Sequence, residues 1–148
     1  MVYRRILVPL DGSVRAEAIL PHVEELARRF RAEVVLLLVV EPSTPWTVPQ
    51  GTRLDIRAVN EAAAEAERYL AELQGRFQEQ GVVARRLVEY GPVVETIHTV
   101  AEREAADLLA MASHGRSGLS QVFYGSVAAG VLQRIDRPLL LIRAAEAT

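Results

Sequence analysis

The chain has 148 residues, half of them hydrophobic and about a quarter charged, which suits one globular domain with a sizeable core and excludes the polar composition of disorder. Its 17 basic residues are all arginine and it has no cysteine, so disulfides, thiolate chemistry, a lysine Schiff base and a lysine-dependent phosphate loop are ruled out. The formal net charge of −2 comes from scattered residues, which leaves no basic stripe for nucleic acid.

Residues 6–10 form a short apolar run closed by Asp11, Gly12 and Ser13, which predicts a buried strand followed by a turn. Ser13 is placed to cap the next helix, where Ile19, Val23, Leu26, Ala27 and Phe30 recur at three- and four-residue spacing as far as about Arg31. Pro21 lies within that stretch, and its missing donor is expected to kink the helix. Residues 34–40 are all apolar and rich in β-branched types, the pattern of a strand covered on both faces. Residues 41–52 hold Pro42, Pro45, Pro49 and Gly51 around Trp46 and are expected to form a long loop, with Trp46 as a lid, a partner contact or an anchor of the loop itself.

Residues 54–80 are dense in alanine and glutamate, with Ala62, Ala66, Tyr69, Leu73 and Phe77 on one stripe; a long helix is predicted, weakened near Gly75 and ended by Gly81. Residues 82–88 predict a strand, and Arg85 and Arg86 within it suit a solvated sheet edge. Gly91 and Pro92 open a helix through Val93, Ile97, Val100 and Ala101. Residues 108–112 predict a strand, residues 113–118 a polar glycine loop, and Gly125 and Ser126 the start of a helix striped by Ala128, Val131, Leu132 and Ile135. Residues 136–138 turn the chain into a last strand, 139–142.

Five strands alternating with four helices, without linker or repeat, give a single doubly wound α/β domain over residues 1–148, Rossmann-like, with a five-stranded parallel sheet and helices on both faces. Such sheets bind ligands beyond the carboxyl ends of the strands, where strand order reverses. For the order 3-2-1-4-5 the reversal falls between the first and fourth strands, and the two most polar loops of the chain face each other there.

Phosphate can be held without lysine by backbone N–H groups at glycines and by the positive end of a helix. Gly115 after the fourth strand, and Gly125 and Ser126 at the start of the last helix, supply both, and Arg116 adds charge. Pro9-x-Asp11 after the first strand, and Ala112-x-x-Gly115, nine residues, then Gly125-Ser126, resemble the universal stress protein pattern of Gly-x-x-Gly, nine residues, then Gly followed by Ser or Thr. Element order and length match over essentially the whole chain. The departure is Ala112, where the family has its first motif glycine; the added methyl hinders close approach mildly.

The resemblance implies an ATP-binding regulatory module of the stress response. Pro9, Leu10, Asp11 and Val39 would line the adenine and ribose pocket. Ala112, Ser113, His114, Gly115, Arg116, Ser117 and Gly118 would wrap ribose and phosphates, and Gly125, Ser126 and Val127 would close over the phosphates. Mg²⁺ is a candidate companion with Asp11 as its contact, and other adenine nucleotides stay open. The resemblance also implies a homodimer, often formed through the last strand. The alternative is a stress-related dimeric interaction protein that binds no nucleotide, for which Ala112 is the motive.

No catalytic residue is assigned. Ser13 lacks the elbow and acid-base partners of a nucleophile, and the Ser-Gly-Gly and His-x-Gly-His signatures of related adenylating enzymes and pyrophosphatases are missing from the sequence. Any ATP hydrolysis is expected to be slow, for want of a base to orient water. Asp11 can cap its own turn as well as meet a sugar or metal. His114 reads as a hydrogen-bonding loop residue, and His22 and His98 as helix-surface or structural residues. No apolar run nears the ~18 residues of a membrane span, and residues 3–5 lead into a strand without a secretion signal. A soluble, cytoplasmic protein is expected.

Overall fold

The computed structural model describes residues 2–41, 56–114 and 125–144. Its strands are β1 (Arg5–Leu10), β2 (Glu33–Val40), β3 (Ala84–Tyr90), β4 (Leu108–His114) and β5 (Leu139–Ala144), and its helices are α1 (Leu20–Phe30), α2 (Ile56–Glu79), α3 (Val93–Arg103) and α4 (Ser126–Arg134). All neighbouring strands pair in parallel, in the order β3-β2-β1-β4-β5. This is the doubly wound α/β sheet that the alternation of elements predicts.

Alternate side chains of the central strands serve opposite cores, and this is why those strands read as continuous apolar runs. Ile6, Val8, Val34 and Leu36 pack with Val23 and Ala27 of α1 and with Leu70, Leu73 and Phe77 of α2. Leu7, Val35, Leu37 and Leu109 pack with Ile97 and Val100 of α3 and with Ala128 and Val131 of α4. Right-handed crossovers explain the division, because the chain moves one way across the sheet from β1 to β3 and the other way from β4 to β5. Among the described strands, β3 and β5 are the edges. On β3, Arg85 pairs with Glu33 and Glu104, and Arg86 with Glu67 and Gln74, charges that discourage strand addition. On β5, residues 139–142 are half-buried and apolar.

Two expectations are corrected. Pro21 does not kink α1: residues 16–19 form a separate 3-10 turn, and Pro21 falls in the first turn of the helix, where a backbone N–H would have had no intrahelical partner. α2 runs unbroken from Ile56 through Gly75 to Glu79, the long helix expected there. The fourth strand is longer than predicted, because Ser113 and His114 continue β4 by pairing with Arg143 and Ala144 of β5. His114 is therefore a strand residue. Trp46 and most of the proline-rich segment lie outside the described residues.

Candidate nucleotide crevice

The sheet splits where β1 and β4 part, and a single proline accounts for the split. Alternate residues of a strand turn their backbone groups to alternate neighbours. Arg4 O accepts from Glu33 N at 2.8 Å on the β2 side, and Arg5 O from Asp107 N at 3.0 Å on the β4 side. By the same alternation Pro9 turns its nitrogen to β4, where it has no hydrogen to donate. The β1–β4 ladder accordingly covers only Ile6↔Leu108 and Leu7↔Leu109. On either side the pairing runs further, to Leu10↔Leu38 and to His114↔Ala144.

A crevice of about 130 Å³ fills the gap. Pro9, Leu10 and Asp11 come to it from the end of β1, Val39 from β2, Ala112 from β4 and Val127 from α4. These six were singled out from the sequence. Six more complete the wall: Ala16, Leu37, Val93, Ile97, Met111 and Ala128. Sequence reasoning missed them because their apolar spacing is what core residues show; the parity that Leu37 shares with Val39 is a signal that could have found Leu37.

Asp11 Oδ1 accepts from Ser13 N at 2.9 Å, and Ser13 Oγ accepts from Ala16 N at 3.1 Å. Both side chains thus cap the tight turn that Gly12 allows at φ 86°. Asp11 is nonetheless exposed on the crevice wall, so capping leaves it available to a sugar or cation. Ser113 is 4% exposed and its hydroxyl donates to Ile142 O at 3.2 Å, which ties β4 to β5. His114 ends the strand, and Gly115, Arg116, Ser117 and Gly118 lie outside the described residues.

Two helices open onto the crevice with their positive ends. At α3, Val93 N donates to Glu41 Oε1 at 3.3 Å, so a carboxylate already answers that terminus. At α4, Gly125 holds the entry at φ 80° and ψ 157°, and among the described residues no side chain caps it. Ser126 and Val127 follow as the first two helical residues. Of the two helix starts, α4 is therefore the one that carries no carboxylate among the described residues. Among the described residues no group of three or more His, Asp or Glu could hold a metal ion, and no helix is long and apolar enough to cross a membrane.

Comparison with known proteins gives the following. The family described as "Universal stress protein family" matches residues 2–143. Universal stress protein MJ0531 of Methanocaldococcus jannaschii is 30% identical, over 96% of this chain and 83% of its own length. Universal stress protein MJ0577 of the same organism is 25% identical over 97% and 96%. The solved structure of MJ0577 superposes with a TM-score of 0.83 at 26% identity, covering 99% of this chain and 100% of that one. A universal stress protein family protein from Arabidopsis thaliana, solved with AMP bound, matches with a TM-score of 0.67 at 19% identity over 96% and 92%, a likeness of fold.

Proposed function

The chain belongs to the universal stress protein family, and on that premise we propose that it binds ATP in the crevice between β1 and β4 and acts as a regulatory module with little or no catalysis. The observation that carries this reading is the meeting, in one place, of an apolar slot and the start of α4, which no side chain among the described residues caps. Leu37, Val39 and Ile97 offer a wall suited to a base, Asp11 stands where a ribose or a Mg²⁺ ion would lie, and α4 presents its amides to phosphate. Gly115, Arg116, Ser117 and Gly118 would close over the phosphates, and Ser113 contributes through the strand it holds. The AMP-bound relative shares the fold, so the architecture is compatible with an adenine nucleotide.

Ala112, which motivates the reading without nucleotide, sits in regular β4 opposite Ile142 and does not have a positive φ. Its methyl group therefore meets no backbone demand for glycine. Little catalysis is proposed because Asp11 is the sole ionisable side chain among the described lining residues, and its Oδ1 already accepts the Ser13 amide. In-line attack by water needs a positioned base that this set does not supply. The apolar β5 edge suits a homodimer better than the ion-paired β3 edge does, and the cytoplasm is the proposed compartment.

The test is to denature the purified protein, identify any released nucleotide, and titrate ATP calorimetrically into the emptied protein. Binding of ATP with one site per chain supports the proposal. Neither released nucleotide nor heat of binding would favour the dimeric interaction protein instead.

A further inference from the structure

Apart from Met1, the chain contains one sulfur atom, that of Met111. β4 places this residue in the wall of the crevice, in the same apolar lining as Leu37, Ile97 and Ala128. Met111 is 5% exposed, so the crevice is the route by which a small oxidant reaches it. Anything that fills the crevice blocks that route.

We propose that Met111 is an oxidation site that couples nucleotide occupancy to peroxide: bound nucleotide shields the thioether, and the sulfoxide lowers nucleotide affinity. The inference rests on the proposed nucleotide site. In the step itself the sulfur attacks one oxygen of hydrogen peroxide, the O–O bond breaks, a sulfur–oxygen bond forms and water leaves. The sulfur is oxidised by two electrons and the peroxide reduced by two.

The consequence follows from the lining. A thioether is a soft apolar surface against which a flat aromatic base packs well. A sulfoxide is a strong hydrogen-bond acceptor in the same place, and no described lining side chain is a donor: Asp11, the polar one, carries a carboxylate. A base laid over that oxygen would leave it without a partner, which is unfavourable in an apolar slot. Met111 also belongs to the core shared by α3 and α4, so oxidation is expected to loosen the fold modestly. The experiment has to separate that effect from the loss of binding.

The full-length protein is treated with hydrogen peroxide with and without saturating ATP, and addition of one oxygen to the Met111 peptide is followed by mass spectrometry, with Met1 as internal reference. ATP should slow oxidation of Met111 about tenfold or more relative to Met1. Protein oxidised at Met111, and shown by thermal melting to be folded, should bind ATP about tenfold more weakly or worse. Met111→Leu, which has no sulfur there, should show the same ATP affinity before and after peroxide. Equal oxidation of Met111 with and without ATP, or unchanged ATP affinity of the folded sulfoxide, overturns the proposal while leaving the nucleotide site standing. Failure of the untreated protein to bind ATP at all overturns the nucleotide reading and the proposal together.

Discussion

Gly125 offers the sharpest test of where the phosphates lie. Its backbone, at φ 80° and ψ 157°, occupies a region that residues with a Cβ enter at a cost of about 1–3 kcal/mol. Gly125→Ala should lose that much folding stability without adding charge, so alanine rather than the wild type is the reference for a charged variant. Gly125→Asp carries the same backbone strain and sets a carboxylate at the mouth of α4. Two like charges about 4 Å apart repel by about 1 kcal/mol in bulk water and about 4 kcal/mol at an effective dielectric of 20. The aspartate should therefore weaken ATP binding by roughly fivefold to several hundredfold relative to alanine. Adenosine, which has no phosphate, should bind the two variants alike. Calorimetric titration of both ligands at low and high salt measures the difference, and urea melts of both variants confirm equal folding. Equal ATP affinity of the two variants would refute placement of the phosphates at α4.

Other consequences can be checked independently. Pro9→Ala restores an N–H facing β4, so the β1–β4 ladder should extend beyond Leu7↔Leu109 and narrow the crevice; hydrogen exchange should find a protected amide at residue 9, and ATP affinity should fall. Arg137 donates from Nη1 to Ala101 O at 2.6 Å and Ala106 O at 2.9 Å, which ties the end of α3 to the approach to β4. Arg137→Ala should cost about 1.5–3 kcal/mol in urea unfolding and leave ATP affinity unchanged. Hydrogen bonding from Arg85, reinforced by Arg103 and opposed by partial burial, holds the Glu104 carboxyl below the ordinary carboxylate range. A depressed folded value means that its stabilisation is complete above the unfolded value, about 4.3, and is lost as the pH falls through the folded one. Glu104→Gln should thus melt below the wild type at neutral pH, with the gap closing as the pH drops below about 4.3; a gap that persists in acid would show that charge is not its source.

The sheet was legible because its signals are local. Residues 34–40 have no polar side chain to turn outward, so they announce a strand covered twice, and Arg85 and Arg86 mark the neighbouring strand as an edge. Pro21 misled because a proline reads the same in a first turn as in mid-helix; the preceding 3-10 turn, which sets its position, depends on Asp11 and Ser13 capping before it. Ser113 and His114 read as loop in the sequence because their polarity outweighs any strand signal, whereas pairing with β5 carries β4 through them. The tie between Glu41 and Val93, which answers the start of α3, joins residues 52 apart, and no local pattern carries it.

What the sequence alone determined was the kind of fold and the segments that carry the motif, since periodicity, turn residues and motif spacing are properties of neighbouring residues. The tertiary structure decided which apolar residues are core and which are wall. Leu37 and Met111 differ from their buried neighbours only in what lies opposite them. That opening exists because a proline facing β4 ends a ladder between strands about a hundred residues apart in the chain.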